Sequence, residues 1–430
     1  MSLKSGALNR LRHSEFVKNV AVLMSGTAMG QAITLAAAPV LSRLYGPDDF
    51  GVLGLYVAAS TILGAAASWK YNMAIVLPKD DADAANVLAL SCLLVVFMAI
   101  VTAVVLALAE DWVIQVLNNP SLEMLIWWLP FSVIIGGAYE IIINWANRYK
   151  EYKNIAFSEI LRSGGTAGTQ ALASLARLGP AGLIAGNMAG YSLATIMLGW
   201  RVGYRDRVLV FRSISVGKIV GMAREHYHFP VYNLPQALLL TSSRSLPIFL
   251  FTFFFDPAVA GLYWFTVRIV SAPGRLIAGS VGRVFYQKAA SKLHRDEEIL
   301  PHLRSVTLVL SAIGILPVAI LWAFGPALFS AVFGEAWYQA GVFAQWVVVA
   351  WYFGFISAPS FKLVPILRLQ HISLVYHVGL LVCRSIAIPL GAWAGDELTA
   401  VSYFALVGAT FSFSFMIYIF IKAGKNRPRG

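Results

Sequence analysis

Charge is what this chain has least of. Only 13% of its 430 residues are Asp, Glu, Lys or Arg, against roughly 25% in an ordinary soluble domain. Acid is scarcer than base, with 21 Asp and Glu against 33 Lys and Arg. Cysteine is nearly absent. Cys92 and Cys383 both fall in apolar runs, which excludes a disulfide framework and leaves them as small hydrophobes. No Walker-type phosphate loop occurs, which argues against direct drive by ATP. No paired carboxylates or nucleophile elbow appear in a loop large enough to hold an active site, so no catalytic residue is assigned and a polytopic glycosyltransferase or ligase is disfavoured. The histidines His226, His228, His371 and His377 lack metal-ligand spacing with acids, and neither a metal nor a cofactor is expected.

What the chain has is apolar length. It is 58% hydrophobic with a mean hydropathy of +0.71. A spanning helix needs roughly 20 apolar residues. Twelve runs approach that length, at 16–40, 50–69, 85–109, 122–145, 155–178, 180–200, 229–255, 258–283, 305–325, 339–358, 370–391 and 398–421. The least apolar are 155–178, with Glu159 and Arg162, and 258–283, with Arg268 and Arg275. The expected fold is an all-α polytopic membrane protein of about twelve transmembrane helices. The basic N-terminus leads into a long first run with no small-residue cleavage site, so a cleaved signal peptide is not expected.

The basic residues sort by gap. Of the 33, 26 lie at the termini or in every second gap, among them Lys70, Lys79, Arg148, Lys218, Lys292 and Lys362. The alternate gaps hold only Arg43 and Arg177, with acids such as Asp48, Asp49, Asp256 and Asp396. Short basic loops stay on the cytoplasmic side, so both termini are expected there. The pI of 9.7 therefore reflects loop charge, and no nucleic-acid partner is expected.

The longest hydrophilic stretch separates six runs from six. It divides the chain into an N-terminal lobe (1–200), a cytoplasmic linker (201–228) and a C-terminal lobe (229–430). A short echo crosses the divide. Pro47 precedes Gly51 by four positions, and Pro257 precedes Gly261 likewise, 210 residues later. Gly182, Gly186 and Gly190 form a small-residue stripe suited to close helix packing. Pro230, Pro235, Pro247 and Pro273 cluster in or beside the seventh and eighth runs, where proline bends a helix.

Five arginines lie inside apolar runs: Arg162, Arg244, Arg268, Arg275 and Arg384. A lipid-facing arginine at mid-helix costs roughly 2.5–3.5 kcal/mol. Five such residues would consume a stability of about 5–15 kcal/mol, so they must face protein or a water-filled cavity. Glu159, three residues before Arg162, can neutralise it as a structural pair. The other four have no acid nearby in sequence. Arg268 and Arg275 are two turns apart on one helix face, and with Arg244 they are expected to form a basic ladder. Guanidinium forks suit phosphate oxygens, so the five are candidate ligands for an anion crossing the midplane. Glu140 and Glu159 are candidate ion-coupling groups. Tyr263, Trp264, Trp351 and Tyr352 are candidates for stacking on sugar rings, beside the ordinary roles of aromatics in packing and interfacial belts. The stretch from Gln287 to Arg304 reads as an amphipathic segment able to lie on a membrane surface or touch a partner.

Four segments carry a resemblance. Leu41-Ser42-Arg43-Leu44-Tyr45-Gly46-Pro47-Asp48-Asp49-Phe50-Gly51 resembles the first-loop signature of bacterial polysaccharide transporters. Ala74-Ile75-Val76-Leu77-Pro78-Lys79-Asp80-Asp81 is similar to that family's next loop, and Asn144-Trp145-Ala146-Asn147-Arg148 and Phe229-Pro230-Val231-Tyr232-Asn233-Leu234-Pro235 to further family segments. The family comprises oligosaccharide-lipid flippases of the multidrug/oligosaccharidyl-lipid/polysaccharide superfamily. The resemblance implies two six-helix lobes around a basic cavity, in the bacterial cytoplasmic (inner) membrane. It implies alternating-access transfer of undecaprenyl-pyrophosphate-linked oligosaccharide for surface polysaccharide (O-antigen, capsule or exopolysaccharide), coupled to an ion gradient. Membrane lipids, a polysaccharide polymerase and glycosyltransferases are the implied partners. The alternative is a cation-coupled multidrug exporter of the same superfamily, for which a midplane richer in Asp or Glu than in Arg would be expected. A peptidoglycan-precursor flippase fits less well, because such proteins have more than twelve spans.

Overall fold

The computed structural model describes residues 2–117, 122–294, 297–367 and 369–425; side chains at 2–20, 204–205, 275–276, 280, 283–284, 290, 293–294 and 425 lie outside that description. The described residues form thirteen α-helices and no strand. They are α1 (Ser2–Leu44), α2 (Pro47–Ala66), α3 (Asp81–Leu117), α4 (Leu129–Arg148), α5 (Tyr152–Leu175), α6 (Pro180–Ser213), α7 (Val216–Glu225), α8 (Leu234–Phe254), α9 (Pro257–His294), α10 (Leu300–Phe333), α11 (Tyr338–Leu363), α12 (Gln370–Ala394) and α13 (Glu397–Lys425). A short π-helical turn, Phe229–Asn233, carries Pro230 and runs directly into α8.

Among the described residues, ten of these helices are long and apolar enough to cross a membrane. Twelve runs were expected. The two that fall short are α5 and α9, which hold the two runs that the sequence marks as least apolar. On most of the ten, apolar surface points largely outward. In α3 the most apolar window is only 22% buried within the protein, and Leu108 and Trp393 are more than four-fifths exposed. A soluble protein does not leave such surface in water; a bilayer covers it. This is a multi-pass membrane protein.

The chain forms two compact units: Met1–Tyr45 with Val52–Ser245, and Gly46–Gly51 with Leu246–Gly430. In the first, α5 lies between α1 and α6. Small residues make that approach possible. A methyl group at Gly26 of α1 would sit 2.5 Å from the Ala156 Cβ, and one at Gly190 of α6 would sit 2.5 Å from the Arg162 carbonyl. The Gly182, Gly186 and Gly190 stripe thus faces α5. Buried polar groups then bind helix to helix. Gln170 Nε2 donates to the Leu183 carbonyl at 2.8 Å, and Tyr45 Oη to the Gln170 carbonyl at 2.7 Å. The helix α6 continues past the apolar run as far as Ser213. Its end is held by Asn86 of α3, which bonds the Ser213 carbonyl and the Ser215 N–H, each at 2.9 Å.

Two of the segments quoted above meet in this unit. Arg148, ending α4, donates to the Pro78 carbonyl at 2.7 Å and the Ile75 carbonyl at 3.2 Å. It also grips Asp81 Oδ1 at 2.8 and 3.0 Å. One guanidinium thereby holds the whole turn from Ile75 to Asp81, a task for its planar fork of donors. Next to it, the Tyr149 phenol is pushed up to about 12 by partial burial and the Asp81 carboxylate.

In the second unit, the echoed turns pack against each other. A methyl group at Gly51 would collide with the Pro257 carbonyl, and one at Gly261 with the Pro47 carbonyl. Each Pro-x-x-x-Gly turn is the first turn of a helix, with proline pre-set for that position. Asp256 caps α9 by accepting from the Val259 N–H at 2.8 Å. Phe50 inserts edge-on against Trp337 and Phe265, with ring centroids at 5.1 and 5.3 Å. The helix α11 packs on α9, α10 and α13, and α12 on α13.

Candidate functional site

The structure separates the five arginines by what surrounds each. Arg162 is paired. Its guanidinium holds both oxygens of Glu159, with Nε to Oε2 at 3.1 Å and Nη2 to Oε1 closer still. Tyr139 Oη donates to the same carboxylate at 3.2 Å, and the Arg162 guanidinium lies over the Tyr191 ring at 5.0 Å. The charge is neutralised where it stands. This explains how α5, flanked by α1 and α6, carries an acid and a base in an apolar region.

Arg244 of α8 is exposed and belongs to the first compact unit. Arg268 of α9 belongs to the second, with its guanidinium over the Trp264 ring at 5.0 Å. The Arg275 side chain lies outside the described residues. The ladder expected of these three is left as a proposal.

Arg384 of α12 is different. It is enclosed in the second unit by aromatic rings, with no carboxylate paired to it among the described residues. Its guanidinium stands 4.5 Å from the centroid of Phe404 on α13. A methyl group at Gly408, one turn further along α13, would overlap Nη2. Tyr263 and Tyr376 are its electrostatic neighbours. Among the described residues Arg384 makes no ion pair, and its buried Nε has no hydrogen-bond partner. A guanidinium withdrawn in part from water without an ionic partner is destabilising.

The aromatics named from the sequence serve packing. Tyr263 is buried against Phe251, with centroids at 4.6 Å. Trp264 carries Arg268. Trp351 stacks on Phe355 at 4.9 Å and covers Gly274, while Tyr352 packs on Gly314.

The first unit holds a cavity of about 320 Å³ that sequence reasoning did not find. It is lined by Glu140 of α4 and by Lys70, which had been read only as a loop charge. Ser132, Asn187, Tyr191 and Thr241 add polar groups from α4, α6 and α8. Four helices contribute, so no stretch of sequence contains the site.

The pattern of one family, described as polysaccharide biosynthesis protein, matches residues 40–341. The chain belongs to that family. No curated protein sequence matches it. In fold, this family member is similar to an inward-facing multidrug resistance MATE transporter of the MOP superfamily, with a TM-score of 0.65 and 14% identity over 94% of this chain and 95% of the other. It is similar to the lipid II flippase MurJ in its inward closed conformation, with a TM-score of 0.64 and 10% identity over 95% and 90%. A MOP-superfamily transporter from Pyrococcus furiosus, described as having a binding pocket of reverse polarity, gives 0.57 and 14% over 95% and 96%. The fold of this polysaccharide-family protein is thus that of transporters and a flippase.

Proposed function

We propose that the protein moves an undecaprenyl-pyrophosphate-linked oligosaccharide from the inner to the outer leaflet of the bacterial cytoplasmic membrane by alternating access, for surface polysaccharide assembly. The observation that carries this reading is Arg384, a guanidinium enclosed by aromatic rings, with a buried Nε that has no partner and no counter-charge among the described residues. A pyrophosphate entering a region of low dielectric loses its hydration. A fixed guanidinium replaces part of it with charge-assisted hydrogen bonds, while the polyprenyl tail stays in lipid. Family membership supports a glycan substrate, and the fold shared with a lipid II flippase supports a lipid-linked one. A cationic drug would be repelled at Arg384, which disfavours a multidrug exporter.

Arg244, Arg268 and Arg275 remain in the proposal as further anion contacts. Arg162 is its weakest member, because Glu159 already neutralises it. Glu140 and Glu159 remain as ion-coupling groups, with Glu140 the one not bonded to arginine. Polymerase and glycosyltransferases of the same glycan are the proposed protein partners.

The test is native mass spectrometry of the purified protein. The wild type is expected to retain a polyprenyl-pyrophosphate glycan and Arg384→Gln to lose it. A bound cationic small molecule on the wild type, with no such lipid, would sink the proposal.

A further inference from the structure

The first-unit cavity has a chemistry unlike that of the Arg384 site. Its two charges oppose each other in sign. Lys70 and Glu140 are in electrostatic reach, yet they form no ion pair, and neither side chain has a hydrogen-bond partner among the described residues. Lys70 would repel a cation and Glu140 an anion. The remaining polar lining is hydroxyl and amide: Ser60, Thr61, Ser132, Asn187, Tyr191 and Thr241. Such groups both donate and accept. The ligand that suits them is uncharged and rich in hydroxyls. The volume lies at the small end of the roughly 300–1,000 Å³ range for small-molecule sites.

The cavity is also built. At the end of α2, Trp69 and Lys70 adopt left-handed backbone conformations, with φ of 48° and 65°. Two such non-glycine residues in succession are strained, and the strain persists only where surrounding structure enforces it. The turn is anchored from behind. Ser68 Oγ donates to Asn72 at 2.9 Å, and Tyr71 Oη to the Ala223 carbonyl at 2.9 Å. On the opposite wall, Ser132 Oγ is bonded to Tyr56 Oη at 2.6 Å. The Tyr191 ring is fixed by Arg162 and by Tyr139, the latter at 5.5 Å edge-on. Arg162 and Glu159 thereby gain a positioning role. Two lining residues are glycines, Gly64 and Gly136, and a Cβ at either would meet nothing within 4 Å. The absence of side chains there keeps the space open.

We infer that this cavity is a recognition subsite for neutral sugar residues, with Glu140 accepting from and Lys70 donating to the ring hydroxyls. The inference rests on the proposed glycan transport and adds a second, charge-balanced contact to the anion contact at Arg384.

The experiment uses the full chain in detergent, with saturation-transfer NMR. The probes are a panel of neutral disaccharides (maltose, lactose, cellobiose) and, separately, inorganic pyrophosphate. The proteins are wild type, Gly136→Leu, Gly64→Leu, Glu140→Gln and Arg384→Gln, each checked for an unchanged melting temperature. At least one disaccharide should bind the wild type. Its affinity should fall tenfold or more in Glu140→Gln, vanish in at least one of the filled glycine variants that keeps the wild-type melting temperature, and persist in Arg384→Gln. Pyrophosphate binding should show the reverse pattern. Absence of sugar binding to the wild type, or binding unchanged by filling the cavity, overturns the inference. Sugar binding without any pyrophosphate binding leaves the inference standing and removes the anion site from the proposed function.

Discussion

At the scale of single residues, a charge in this protein means different things according to its neighbours. Arg148 is a clamp. Replacing it with Ala removes donors from Asp81 and from the Ile75 and Pro78 carbonyls. Hydrogen bonds to a charged group contribute about 1.5–3 kcal/mol each, so a clear fall in thermal stability is expected in detergent. Arg148→Lys should not rescue it, since an ammonium cannot span that turn. Arg384 should behave in the opposite way. Arg384→Gln removes a cation that has no ionic partner among the described residues, so melting temperature should hold or rise while affinity for pyrophosphate lipid drops roughly ten- to 150-fold, the equivalent of about 1.5–3 kcal/mol. A parallel loss of stability and binding would make Arg384 structural. Tyr149 gives a pH dependence. Its phenol titrates at 10.0 in a free chain and at about 12 here. The folded state therefore holds a proton that the unfolded state releases. The stabilisation is complete below pH 10 and is lost as pH rises from 10 to about 12. Tyr149→Phe should flatten melting curves over that window.

At the scale of helices, close packing depends on a few absent side chains. Gly186 and Gly190 let α6 lie on α5, where added atoms would meet Gln170 and Thr166. Gly51 and Gly261 let the first turns of α2 and α9 meet backbone to backbone. Overpacking typically costs about 1–3 kcal/mol. Gly190→Val and Gly261→Val should each lower the melting temperature, whereas Gly136→Ala, facing open space in a helix, should hold or raise it. Equal effects at the three sites would contradict this packing account. The glycine stripe and the Pro-x-x-x-Gly echo were both visible in the sequence as spacings. That the two echoed turns touch was not visible, because 210 positions separate them.

At the scale of the whole molecule, the open quantity is the number of crossings. Ten helices qualify on composition, and α5 and α9 do not. The Glu159–Arg162 pair in α5 offers a reason, since two charges that neutralise each other still count against hydropathy. If α5 crosses the membrane, the segment 201–228 lies on the same side as the N-terminus; if it does not, that segment lies on the other side. A topology reporter inserted there should read cytoplasmic. A periplasmic signal would reduce the count and invert the charge argument made from Lys and Arg.

Sequence alone determined the class of this protein. Apolar runs near 20 residues, scarce charge and basic residues in alternate gaps leave few possibilities other than a polytopic helical membrane protein, because both signals are local and additive along the chain. It also singled out the arginines, since a guanidinium in an apolar run stands out whatever surrounds it. Only tertiary structure decided which of them is neutralised, Arg162 by Glu159, and which is enclosed by aromatic rings with no counter-charge among the described residues, Arg384. It alone brought Lys70, Glu140, Asn187 and Thr241 to one cavity. The reason is that burial and charge compensation are properties of neighbours in space, and here those neighbours come from positions as much as 171 residues apart.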